Sequence, residues 1–261
     1  MRIVKHDSAG DGAGGEIQAV SRAADVLRLF GPETQELTAA EAAERLGMNR
    51  TTAYRYCTSL VAAGLLERGH RNGSFLPGAL LLQLGVFALG RRRVMDLAPA
   101  HMRQLCASAE HTVALSLWGG TGAVVARVEE DPGVVVVTVR VGTQLPLAAA
   151  QSKLFLAWHP DQLTVSRLLA TLPAAARSDL DAQVAKARQD GYTVNTDVHP
   201  GMLAIAAPVF DEYGICATLA LLGTAASMSA ASDSPQVQQL EKTARALSAE
   251  LGWARREPEA D

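Results

Sequence analysis

The chain has 261 residues, 48% hydrophobic and 20% charged, with 24 Lys and Arg against 27 Asp and Glu and a formal net charge of −3, which gives room for two modest domains. This balance excludes a basic protein that coats nucleic acid but leaves room for a small basic face. Cys57, Cys106 and Cys216 are odd in number and far apart, which fits reduced cytoplasmic thiols better than a disulfide framework or paired metal ligands, and no apolar run approaches the ~18 residues of a membrane span.

Residues 1–16 carry Gly10, Gly12, Gly14 and Gly15 among polar residues and no apolar stretch, so they read as a flexible arm and not a signal peptide. Ile17, Val20, Ala24, Leu27 and Phe30 recur at helical spacing, with Ser21 as N-cap and Gly31-Pro32 as the stop. Thr38-Ala-Ala-Glu41 is a capping box ahead of a two-turn helix, and Gly47 suits the left-handed position after it. Asn49 caps a third helix running to about Ala63, with Ala53, Tyr56, Cys57, Leu60 and Val61 on one face and Gly64 as terminator. Leu65–Arg68 and Ser74–Leu76, joined through Asn72-Gly73, read as a hairpin. A helix, a short helix, a glycine turn, a third helix and a hairpin make a winged helix-turn-helix over 17–78.

Pro77-Gly78 closes this unit, and Ala79 to Gly90 form a helix too apolar all round to stand alone in water, so 79–93 reads as a linker helix that needs a partner. Beyond Arg91-Arg92-Arg93 a second domain, 94–254, mixes helices and strands. Helices are expected at Met95–Ala109, Gln151–Trp158, Asp161–Leu169, Ser178–Asp190 and Pro235–Trp253. Strands are expected at His111–Trp118, Ala123–Val128, Val134–Val139, Thr193–Asn195, Leu203–Phe210 and Ile215–Leu222, leaving 255–261 as a tail. Strands adjacent through hairpins with flanking helices give an α+β fold, an antiparallel sheet covered by helices.

The third helix carries the clearest chemistry. Asn49, Arg50, Thr51, Thr52, Tyr54, Arg55 and Ser59 offer short polar side chains and cations, and no carboxylate occurs from Asn49 to Leu66, as a helix entering the major groove requires. His70 and Arg71 in the hairpin turn are placed to reach a flanking phosphate or the minor groove. Signatures of enzymes are lacking: there is no G-x-S-x-G, no phosphate loop and no H-E-x-x-H. His101, Cys106 and His111 lie five residues apart, a step of about 140° around a helix that keeps them from converging on a metal. Neither a metal nor a cofactor is expected.

Several segments, in order, carry a resemblance to the IclR family of bacterial transcription regulators. They are Ser21-Arg-Ala23, Leu46-Gly-Met-Asn-Arg-Thr-Thr-Ala-Tyr-Arg55, Phe75-Leu-Pro-Gly78, Gly142-Thr-Gln-Leu-Pro-Leu147, Ser152-Lys153, Gly191-Tyr192, Pro200-Gly201 and Ile205-Ala-Ala-Pro208. The resemblance spans Ile17 to Trp253 and implies a winged helix-turn-helix, a dimerising linker helix and a GAF-like effector domain. It also implies homodimers or pairs of dimers on palindromic double-stranded operators, acting as repressors or activators under control of a small metabolite.

The departures from the family pattern concern the effector. Ala148-Ala-Ala-Gln-Ser-Lys153 replaces the usual His-Ala-Thr-Ala-x-Gly-Lys, Asp197 stands for a glutamate, Ala204 for a common cysteine, and Ala220-Leu-Leu-Gly223 for Ser-x-Ser-Gly. If these positions line the pocket as the resemblance implies, hydroxyls and a thiol are replaced by apolar wall. The expected effector is then an aromatic or otherwise partly apolar acid, bound among Ser116, Ala150, Gln151, Ser152, Asp197, His199, Ala204, Ala220 and Leu222. The alternative function is a small-molecule-binding or enzymatic domain whose N-terminal head mediates protein contacts.

Overall fold

The computed structural model describes residues 17–131, 133, 137–196 and 201–254. The arm at 1–16, the tail at 255–261, Asp197, His199 and the first part of the strand expected at 134–139 lie outside these residues. The chain divides between Arg91 and Arg92 into two compact units, each with its own core.

In the first unit α1 (Gln18–Leu27), α2 (Ala39–Leu46) and α3 (Arg50–Ala62) pack around Val26, Leu29, Ala42, Ala53, Cys57, Leu60, Leu66 and Phe75. Thr38 closes the expected capping box. Its Oγ1 accepts from Glu41 N at 3.2 Å while Glu41 Oε2 accepts from Thr38 N at 2.6 Å, so two otherwise orphaned N–H groups are satisfied. Gly47 takes the left-handed φ of 63° that ends α2, and Asn49 Oδ1 accepts from Thr51 N at 2.8 Å to start α3. Sequence and structure differ at α1. The helix begins after Ile17, so Ser21 lies inside it and is no cap, and it ends at Leu27 in a short turn before Phe30. Ile17 and Val20, expected on the apolar face, are 66% and 64% exposed, because the core is met by Val26 near the end of the helix and by Leu29 in the turn after it.

The hairpin strands are β2 (Leu66–Arg68) and β3 (Ser74–Pro77). A two-residue strand, β1 (Leu37–Thr38), pairs with β3 through Leu37↔Phe75 and Thr38↔Ser74, giving the order β1-β3-β2. No pattern in the sequence marks β1, because two residues cannot display an alternation. Helix α4 (Ala79–Gly90) follows, with no residue buried.

The second unit holds an antiparallel sheet in the order β5-β4-β8-β7-β6, formed by β4 (Thr112–Trp118), β5 (Ala123–Glu129), β6 (Thr193–Asn195), β7 (Met202–Asp211) and β8 (Gly214–Thr224). One face packs on α5 (Arg93–Ala109) and α9 (Pro235–Glu250) through Val113, Leu115, Ile205, Val209, Leu219 and Leu221. The other face packs on α6 (Ala150–Trp158) and α8 (Ala174–Asp190) through Ala206 and Ala220. A fifth helix, α7 (Gln162–Ala170), completes a smaller cluster of Leu156, Val165, Leu169 and Leu180. The alternation of strand side chains assigns each residue to one of these faces. A register shift between Val209 and Phe210 leaves the Phe210 N–H to donate to Ser248 Oγ on α9 at 3.0 Å.

Several expected elements shift at their ends or fail to form. Residues 137–139 form no strand, α8 starts four residues before Ser178, and α9 ends at Glu250, where Gly252 takes a φ of 92°. Among the described residues no helix is long and apolar enough to cross a membrane.

Candidate functional site

The α3 helix divides cleanly. Ala53, Cys57 and Leu60 are buried, whereas Asn49, Arg50, Thr51, Thr52, Tyr54, Arg55 and Ser59 are all exposed. The cause lies in the spacing, since an apolar side chain every three or four residues fills one stripe and leaves the other in water. Burial raises the pKa of the Cys57 thiol on the inner stripe. On the outer stripe, Tyr54 meets Phe75 edge to face at 6.4 Å, and the Arg68 guanidinium lies 4.9 Å over the Phe75 ring and 5.9 Å from that of Tyr54. Arg68 thus joins the face that holds Arg50 and Arg55; as an isolated strand residue it had no motif to mark it.

The N-terminus of α3, the start of α2 and the turn of the hairpin enclose a groove of about 420 Å³ lined by Thr38, Ala39, Ala40, Arg50, Thr51, Tyr54, Asn72 and Gly73. The turn that forms one wall runs from Gly69 to Gly73, and Gly73 has a φ of 73°. Arg71 was expected to reach outward from this turn. Instead its Nη2 donates to the Glu36 carbonyl at 2.9 Å, its Nε to Glu36 Oε2 at 3.4 Å, and its Nη1 lies 3.7 Å from Glu41 Oε1. Two carboxylates within reach hold the guanidinium against the body of the unit.

In the second unit Ala150, Gln151 and Ser152 open α6, and Ala204, Ala220 and Leu222 stand on the sheet face beneath it. Ala220 is fully buried against Ala150, Leu154 and Ala206, with Ala204 and Leu222 packed around this cluster. The polar members are already engaged. Ser152 Oγ accepts from Ala123 N at 3.0 Å, and Gln151 Nε2 donates to the Ala114 carbonyl at 3.4 Å. Ser116 is different. It pairs in register with Thr218 on the same sheet face, both are 0% exposed, and neither hydroxyl has a partner among the described residues. Thr218 escaped the sequence reading because it lies in an apolar strand with no motif around it.

Lys153 also belongs to this region. It is 4% exposed, and its Nζ donates to Gln183 Oε1 at 2.9 Å on α8 and to the Val194 carbonyl at 3.0 Å on β6. In the sequence it is the single charge in a helix of nine residues and part of the Ser152-Lys153 pair that carries the resemblance, and neither signal shows its partners. Thr193 Oγ1 donates to the Ala150 carbonyl at 2.8 Å and Asn195 Nδ2 to that of Ala148 at 3.5 Å, so β6 and α6 are bound together by side chains. The three residues first considered for a metal take separate partners: His101 meets Glu250, Cys106 the Glu129 carbonyl and His111 Ser227.

The family description "Bacterial transcriptional regulator IclR C-terminal" matches residues 86–249, and "IclR helix-turn-helix domain" matches residues 19–70. The chain is 26% identical over 250 residues to the HTH-type transcriptional regulator XynR of Escherichia coli (strain K12), covering 91% of this chain and 98% of that protein. The crystal structure of an IclR transcriptional regulator from Alicyclobacillus acidocaldarius superimposes with a TM-score of 0.69 at 27% identity, covering 91% of this chain and all of that one. An IclR homolog from Microbacterium hydrocarbonoxydans, crystallised in complex with 4-hydroxybenzoate, superimposes with a TM-score of 0.67 at 23% identity, covering 89% of this chain and 98% of that one.

Proposed function

Because this chain belongs to the IclR family of bacterial transcriptional regulators, we propose that it reads operator DNA with the outer stripe of α3 and the hairpin beside it, under control of an acid bound against α6. The observation that carries this reading is the exposed, carboxylate-free face of α3 next to the groove. Arg50 and Arg55 supply guanidinium groups for guanine edges or phosphates, and Asn49, Thr51, Thr52, Tyr54 and Ser59 supply short polar contacts. Arg68 joins Arg71, whose side chain stays 55% exposed beside Glu36, as a cation that the hairpin offers, because stacking on Phe75 leaves the Arg68 charge at the surface.

The effector reading rests on the α6 face. Apolar wall from Ala204, Ala220 and Leu222 suits a ring, while the partnerless hydroxyls of Ser116 and Thr218 are donors that a carboxylate would satisfy. Asp197 remains part of the proposed site on the family pattern, and His199 as a further polar group in the same stretch of sequence. The 4-hydroxybenzoate held by the Microbacterium homolog has the same chemistry, a ring and a carboxylate. An effector that binds one arrangement of the DNA-binding heads better than another shifts operator affinity by that difference.

The chain acts as a homodimer, or as a pair of dimers, through α4. This helix leaves Leu82 70%, Val86 64% and Phe87 62% exposed, and a second copy would cover such a surface. A dimer places two α3 helices on half-sites about one helical turn apart, or a multiple of it.

The direct test is to select bound sequences from a random DNA pool and to titrate the recovered operator by fluorescence anisotropy at fixed salt. Arg50→Ala and Arg55→Ala are expected to weaken operator binding by about 1–3 kcal/mol each. Unchanged affinity in both variants would take α3 out of the interface. Calorimetry against a panel of acids tests the effector, and tight binding of glyoxylate or pyruvate with no response to aromatic acids would reject the apolar reading.

A further inference from the structure

Glu36 lies just before β1, distant along the chain from every residue that the sequence marked for DNA. Its carboxylate accepts four hydrogen bonds from one turn: Oε1 from the His70 N–H at 3.1 Å, and Oε2 from the Arg71 N–H at 3.2 Å, the Ser74 hydroxyl at 2.8 Å and Arg71 Nε at 3.4 Å. These bonds hold the Glu36 pKa down to about 2, so the clamp is charged at any working pH. The turn is closed tightly around it. A Cβ on Gly69 would run into Ser74 Oγ and lie 3.0 Å from Glu36 Oε2. Three residues after Gly69, Asn72 and then Gly73 form the wall of the groove that faces Arg50 and Thr51.

We propose that Glu36 is a positioning residue for DNA binding: it fixes the 69–74 turn through backbone N–H groups and so sets Asn72 and Gly73 opposite the N-terminus of α3 before DNA arrives. This rests on the reading that α3 and the hairpin face DNA. A bare carboxylate at such a face would repel phosphate, but here Arg71 offsets its charge. The gain is preorganisation, since a turn already held in shape loses little conformational freedom on binding.

The test uses the full chain, the selected operator and a double-mutant cycle, with thermal melting recorded for every variant. Glu36→Ala is expected to weaken operator binding about tenfold. Combined with Asn72→Ala it should lose no more than the larger single effect, because both act through the same wall. Combined with Arg50→Ala the losses should multiply. Glu36→Gln keeps one acceptor oxygen and the side chain's volume, and is expected to recover part of the loss and to serve if Glu36→Ala melts too low.

Equal multiplication of the Glu36 effect in the Asn72→Ala and Arg50→Ala backgrounds would mean a general loss of folded protein and would overturn the proposal. Tighter binding of Glu36→Ala with a steeper salt dependence would overturn it too, since the carboxylate would then act by withholding Arg71 from DNA. If Arg50→Ala and Arg55→Ala also leave affinity unchanged, the DNA-face reading has failed and this proposal with it. If they weaken binding and Glu36→Ala does not, only the role of Glu36 is lost.

Discussion

A buried hydroxyl without a partner is costly, and Ser116 and Thr218 stand side by side on the α6 face of the sheet in that state. Thr218→Val keeps the shape and removes the unsatisfied group. The ligand-free protein is expected to gain about 1 kcal/mol of stability in chemical denaturation, while calorimetric binding of an aromatic acid weakens. A loss of stability would mean that the hydroxyl is bonded in solution. Cys216 gives an independent check. Burial pushes its thiol pKa to about 12, so it should react slowly with a thiol-specific disulfide reagent at neutral pH and rapidly once unfolded. Glu36 has the opposite shift, from an ordinary 4.5 down to about 2. Its contribution is complete above the ordinary carboxylate range and is lost as pH falls from 4.5 towards 2, so the stability difference between the parent and Glu36→Gln should shrink across that window. Residues such as Arg50 and Arg55 were legible because they lie outside the apolar stripe of a single helix. Glu36, Thr218 and Lys153 were not, since each acts on a segment distant in the chain, and no local pattern encodes that distance.

At the scale of elements, helices with local caps were read directly. The capping box at Thr38 and the Asn49 cap satisfy N–H groups within three residues, so the instructions lie next to each other in the chain. Thr38→Ala should lower stability by about 1 kcal/mol, seen as a drop of a few degrees in the thermal transition of the first unit. Gly78 shows a different constraint. Its φ of −84° suits any residue, yet a Cβ there would collide with the Gly64 carbonyl and lie 2.9 Å from the Leu66 backbone. The composition suggested a chain stop at Pro77-Gly78, while the real requirement is the close approach of the β3 end to the end of α3. Strand β1 was missed for the same kind of reason, as it exists only because β3 offers it an edge.

For the whole molecule, α4 is the element most at odds with water. Leu82→Asp with Phe87→Asp is expected to convert a sedimenting dimer to monomer and to weaken operator binding about a hundredfold, because each head must then bind its half-site alone. A parent chain that sediments as a monomer at micromolar concentration would remove α4 from the assembly. The apolar all-round pattern of Ala79 to Gly90 was plain in the sequence, and so was its need for a covering surface.

The sequence by itself determined the order of the helices, the winged helix-turn-helix with its exposed cationic face, and the α+β character of the second unit. Periodicity and caps are local properties, and a reader of one strand of residues sees them. Only the tertiary structure decided that Arg71 pairs with Glu36 and Glu41, that Arg68 lies over the Phe75 ring, and that two hydroxyls on the α6 face of the sheet have no partner among the described residues. Those outcomes depend on which distant carboxylate, ring or helix the fold brings within bonding range. Hydrogen bonds and charge pairs act over a few ångströms in space and are indifferent to separation along the chain.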